Sequence, residues 1–197
     1  LLVMDAVAVK SFWKEWDRLN LVLTLPGAML GILVGTFTFQ YFSDAAIRLL
    51  LGLMVVVFVA NYFLNRNLAP KPATRGRGAW WGGVAGFTSF GIHAGGPPIS
   101  IFVLPQRLEK RQLMATFAFF FAVVNAVKLI PYAAMGQFSN DNIMTSLVLV
   151  PVAPIGVLVG VWLLDKINED RIYALSYCGL GLLGIKLSYD GLRGLFV

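Results

Sequence analysis

The 197-residue sequence predicts an all-α fold, a polytopic transmembrane helical bundle, and three observations carry that expectation. Apolar residues make up 58% of the chain and charged residues 13%, against about 25% charged in ordinary soluble domains. The apolar residues are gathered in blocks, at 21–42, 47–64, 113–134, 143–164 and 172–189. Each block is near the roughly 20 residues that a helix needs to cross a bilayer core. The basic residues sit in short loops between the blocks, where orientation in the membrane accounts for the net charge of +6, so no nucleic-acid partner is expected.

The chain opens on nine apolar residues broken only by Asp5 and ending at Lys10, without the layout of a signal peptide. They read as the tail of a span that begins further upstream. Two full spans follow, the first carrying Gly27, Gly31 and Gly35 at four-residue spacing, a helix-packing ridge. The pairs Trp13/Trp16 and Trp80/Trp81 flank basic loops, as interfacial anchors do. Residues 79–106 are apolar but hold Gly82, Gly83, Gly86, Gly91, Gly95, Gly96, Pro97 and Pro98. Glycine weakens a helix through backbone entropy, and an interior proline removes a hydrogen bond, so the helix is expected to break near 95–98. Broken backbone at membrane depth survives only inside protein or along a watery cavity. Three more spans complete the chain, and the lone Cys178 in the last reads as a packing residue.

An internal repeat organises these elements. At an offset of 125, Pro26, Ala28, Gly31, Leu33, Val34 and Gly35 match Pro151, Ala153, Gly156, Leu158, Val159 and Gly160, and Ile47 and Leu50 match Ile172 and Leu175. Gly156 and Gly160 thus echo the packing ridge. The expected division is residues 1–64 as the remainder of a first repeat, 65–78 as a basic cytoplasmic linker, and 79–197 as a second repeat. The same offset implies roughly 46 further residues ahead of Leu1. Loop charges discriminate between topologies. If 79–106 crosses the membrane, Lys and Arg divide eight against six; if it re-enters, they divide twelve against two. The re-entrant reading matches the positive-inside rule. It gives each repeat three spans and a broken, re-entrant helix, so the repeats are inverted, a plan common among secondary transporters.

The stretch GFTSFGIHAGGPPISIFVLPQRL, at 86–108, and TFAFFFAVVNAVKLIPYAAMGQ, at 116–137, resemble the sulfite exporter TauE/SafE family of membrane permeases, as does the first-half stretch at 1–35. The resemblance covers essentially the whole chain. It implies two duplicated modules and the movement of sulfite, sulfoacetate and related sulfur-containing anions, usually outward across the bacterial inner membrane.

Candidate site residues cluster around the broken segment. Gly95, Gly96, Pro97 and Pro98 mark the start of a half-helix, where the helix dipole puts about half a positive charge and attracts anions; a plain kink is the alternative. Thr88, Ser89 and Ser100 are donors for oxyanion oxygens, or else are bonded to their own helix carbonyls. Asn125 and Lys128 share a helix face with Ala118 and Ala122, a face expected to pack on the broken segment. Lys128 is an intramembrane cation, hence a functional candidate, unless it snorkels to the nearby loop as an anchor. His93, the one histidine, is a candidate for proton coupling, against a merely packed imidazole. Asp5 is read as pairing with a nearby base.

The expected substrate-binding set is Ser89, Gly95, Gly96, Pro97, Pro98, Ser100, Asn125 and Lys128. One histidine, one cysteine and few intramembrane acids supply neither a metal cluster nor a nucleophile–base pair, so no enzyme, metal or cofactor is expected. The reading is a secondary transporter exporting small sulfur-containing anions by alternating access, with the lipid bilayer, the anion and a second copy in a homodimer as partners. A channel, a permease for another small anion, and a non-transporting subunit or assembly factor compete with it. The last has no need of a Gly-Gly-Pro-Pro break at membrane depth.

Overall fold

The computed structural model describes residues 1–64, 70–136 and 150–196, and among them every regular element is helical. In chain order these are α1 (Leu2–Ser11), α2 (Arg18–Thr38), α3 (Asp44–Leu64), α4 (Arg75–Ile92), α5 (Gly96–Val103), α6 (Lys110–Ala134), α7 (Val152–Lys166) and α8 (Glu169–Phe196). Of these, α2 with its 3-10 extension to Tyr41, α3, α6 and α8 are long and apolar enough to cross a membrane. The span expected at 143–164 is seen from Val152 onward as α7; its first residues lie outside the described ones.

One end of the bundle, here called the base, collects most of the charge. Arg111 bridges Glu15 at 2.8 Å and Asp165 at 2.5 Å and lies 5.5 Å over the Phe12 ring. The Lys110 ammonium donates to the carbonyls of Leu164 and Ile167 at 2.8 and 2.7 Å. Arg107 sits over the rings of Tyr62 and Tyr173, at 5.7 and 5.0 Å. These links bring the starts of α6 and α8 to the ends of α1, α3 and α7. Asn20 and Gln106 exchange two side-chain hydrogen bonds of 2.9 and 2.8 Å, and the Lys71 amide donates to Pro105 O at 2.9 Å, which adds the starts of α2 and α4 and the end of the α5 segment. Helices α2, α4, α6 and α8 therefore rise from the base, and α1, α3, α5 and α7 run back to it. Residues 79–106 leave the base and return to it, as the charge distribution predicts.

Glycine decides how the rising helices meet. Between helices in lipid the hydrophobic effect supplies little attraction, so close approach and dispersion do the work. Helices α2 and α4 lie parallel with backbone against backbone. A Cβ added at Gly31 would fall against the Gly83 carbonyl and the Phe87 amide, one at Gly82 against Thr24, and one at Gly86 against Ala28. The predicted ridge is thus a packing surface, answered by a second glycine ridge on α4. Helices α3 and α8 cross antiparallel by the same device, with Gly52 against Ser188 and Gly191 against Ala45 and Leu49, and with Tyr62 and Tyr177 stacked at 3.4 Å.

The break itself differs from expectation. Helix α4 ends because His93 adopts a left-handed conformation (φ +57°), and the Ala94 amide turns back to Thr88 O at 3.1 Å. Pro97 and Pro98 do not interrupt a helix; they occupy the first turn of α5, where a missing N–H costs nothing. The break therefore falls at 93–95, two residues before the place the prolines suggested.

Candidate functional site

The tip of the α4–α5 hairpin meets α6 at Lys128. That residue is 3% exposed, and its ammonium donates to Ser89 O at 3.1 Å and Ser89 Oγ at 3.0 Å. The side chain therefore reaches across to α4 and does not snorkel to the loop. An ammonium has three donors, and among the described residues two are used. Both acceptors are neutral, so a full charge is buried without an ion-pair partner, an arrangement that is costly unless something else compensates it.

Gly95 packs directly beneath this contact, since a Cβ there would lie 2.7 Å from Ser89 Cβ and 2.8 Å from Ala85 O. A Cβ on Gly96, by contrast, would meet nothing within 4 Å. Pro97 and Pro98 carry no N–H, so the amides that the start of α5 can offer belong to Gly95 and Gly96. Ser100 lies half-buried one turn further along α5.

The remaining candidates divide. Thr88 is consumed locally, its hydroxyl donating within reach of Val84 O (2.8 Å) and Ala94 O (2.9 Å), so it fastens the tip. Asn125 is 9% exposed, but its side-chain amide donates to Asp5 Oδ2 on α1 at 2.8 Å and not toward the tip. Ala118 lines a groove shared with α1 and α7, away from the broken segment on which it was expected to pack. His93 is exposed, its ring 6.1 Å from that of Tyr132. Cys178 is exposed on α8, which corrects its reading as a packing residue.

Three participants were missed. Tyr132, one turn after Lys128, donates from its hydroxyl to Phe90 O at 2.6 Å and so holds the last turn of α4 beside the lysine. Its spacing of four from Lys128 was the available signal. Asn20 and Gln106, which close the base of the hairpin, are 86 positions apart, and no local pattern announces their pairing.

No curated protein and no solved structure matches the chain. A family model, described as sulfite exporter TauE/SafE, matches residues 1–187, nearly the full length. With four helices among the described residues fit to cross a bilayer, this multi-pass membrane protein belongs to the TauE/SafE sulfite exporter family.

Proposed function

We propose that the chain is a secondary transporter, a carrier and not an enzyme, that exports small sulfur-containing anions such as sulfite or organosulfonates across the bacterial inner membrane by alternating access. One observation carries this reading: a buried lysine with only neutral hydrogen-bonding partners stands at the tip of a doubled-back helix pair. An oxyanion stripped of water needs positive charge and donors. Lys128 supplies the charge, and its third N–H, the Gly95 and Gly96 amides and the Ser89 and Ser100 hydroxyls are donors within the same neighbourhood. Because Lys128 is sealed off, an anion gains access only when the tip shifts against α6, which is the movement alternating access requires.

The organisation we propose is two inverted repeats, residues 1–64 and 79–197, joined by the linker 65–78, with the base in the cytoplasm. Its support is directional: the offset pairs α1 with α6, α2 with α7 and α3 with α8, and each pair runs in opposite senses relative to the base. Single cysteines placed at 71–77 and at 107–111 should both be silent to an impermeant thiol reagent added outside cells. Labelling of one loop alone would mean that 79–106 crosses the membrane.

The site is tested in proteoliposomes. Lys128→Met keeps the stem and removes the charge. The loss of a charge-assisted hydrogen bond, about 1.5–3 kcal/mol, corresponds to roughly a 10- to 100-fold fall in apparent sulfite affinity. Lys128→Arg should retain part of it. Gly96→Val faces open space, so it should fold normally and block transport by occupying that space. Normal transport by Lys128→Met at sulfite levels well below saturation would remove the lysine from the site.

A further inference from the structure

Asp5 is the one acid of α1, and it forms no salt bridge among the described residues. Its carboxylate is held instead by a neutral amide: Asn125 Nδ2 donates to Asp5 Oδ2 at 2.8 Å. Asn125 is three residues before Lys128, so the two share a face of α6, and the Asp5 carboxylate acts electrostatically on the Lys128 ammonium. An acid and a base in a low-dielectric interior ordinarily collapse into a contact pair, which satisfies both. Here the carboxylate takes its hydrogen bond from Asn125 and the ammonium bonds to Ser89, so the lysine has a negative charge in its field and yet keeps a donor free.

We propose that Asp5 is the proton-binding group of the Lys128 anion site, serving as the lysine's counter-charge in the empty carrier and being neutralised when the anion arrives. This rests on the anion-binding reading of Lys128. The charges balance. The empty site holds one carboxylate and one ammonium; the loaded site holds a carboxylic acid, the ammonium and one monovalent anion, so both states are neutral. The proton taken up on Asp5 travels with the anion, in the same direction. A site loaded with the anion alone would carry an extra buried negative charge, which the membrane interior penalises. The anion and the ionised Asp5 therefore exclude one another, and Asn125 places the carboxylate where it competes.

Among the described residues, few other charges face Asp5. On α6 only Lys128 does. Helix α7 presents Val157, Gly160 and Val161 to the groove it shares with Ala8 of α1, while its Asp165 is engaged by Arg111 at the base. On α1 itself, Lys10 lies more than a turn after Asp5. Across the site, His93 of the tip also faces Lys128 electrostatically but is exposed, whereas Asp5 is the acid held on the lysine's own helix face through Asn125.

The test uses ethanesulfonate, whose charge does not change with pH, and the whole protein in proteoliposomes. The wild type should bind it about tenfold more tightly for each unit of falling pH over the range in which binding takes up a proton, with one proton moving per anion. Asp5→Asn should bind tightly at every pH and carry the anion without the proton, so that transport generates a current. Asp5→Glu should restore proton coupling with a displaced pH midpoint, which also serves if Asp5→Asn does not fold. An Asp5→Asn protein with the wild-type pH profile and proton movement would overturn the proposal, as would an Asp5→Glu midpoint that does not move. Lys128→Met separates the two readings: if it binds ethanesulfonate normally, the anion site itself is wrong. If it loses binding while Asp5→Asn stays pH-dependent, only the role of Asp5 falls.

Discussion

Helices α2 and α7 carry the same glycine spacing and stand in opposite surroundings. On α2, a side chain at Gly27, Gly31 or Gly35 would run into α4, at the first two positions into its backbone. On α7, a Cβ at Gly156 or Gly160 meets nothing within 4 Å among the described residues, and Gly160 lines an open apolar groove of about 370 Å³ bounded by α1, α6 and α8. The motif is thus a statement about what a helix is able to pack against. The partner decides its energetic meaning: one ridge is a backbone-to-backbone joint, and the other, among the described residues, meets no partner.

Mutations grade the difference. The largest effect is expected for Gly31→Val, because the obstacles are the Gly83 carbonyl and the Phe87 amide, backbone atoms that cannot swing aside. Overpacking typically costs about 1–3 kcal/mol, and more where the obstacle is backbone. The variant should fail to yield folded, monodisperse protein in detergent; a melting temperature near that of the wild type would break the claim that α2 and α4 touch through their backbones. Gly35→Ala should be milder. Its new Cβ would lie 3.0 Å from Phe90 Cδ1 and 3.5 Å from Phe87 Cδ2, rings that can turn, and alanine recovers roughly 0.8–1 kcal/mol of helix propensity. A net change within about 1 kcal/mol is expected in thermal melts. Gly156→Ala should have the smallest effect, neutral to stabilising by up to about 1 kcal/mol, since only the propensity gain remains. A Gly156→Ala protein as damaged as Gly31→Val would show that the α7 ridge is covered in the membrane.

What was legible in the sequence follows from range. The spans declare themselves as runs of apolar residues, the α2–α4 joint as a spacing of four, and the return of 79–106 to its starting end as a charge distribution; each is a pattern within one element or a sum over loops. The position of the break was misplaced because proline has two local meanings, interrupting a helix from inside and starting one from its first turn, and Pro97 and Pro98 take the second. The lysine was recognised as an intramembrane charge, but its acceptors on Ser89 and the Asp5–Asn125 contact are 39 and 120 positions away in the chain. Such pairings depend on how helices are rotated against one another. Asn125 was assigned to the anion for want of that information, and its amide is committed to Asp5.

The Asn20–Gln106 pair at the base has a consequence for how the molecule responds to its solution. Each amide gives the other one hydrogen bond, Gln106 Nε2 also donates to Phe102 O at 3.0 Å, Asn20 is 1% exposed, and neither group carries charge. Added salt and acid therefore leave this fastening unaltered. The clasp of Arg111 on Glu15 and Asp165 is different, with its side chains 30–52% exposed, and ions in the medium weaken it. In concentrated electrolyte the outer helices α1 and α7 should loosen from α6 first, while the doubled-back segment stays anchored at its root.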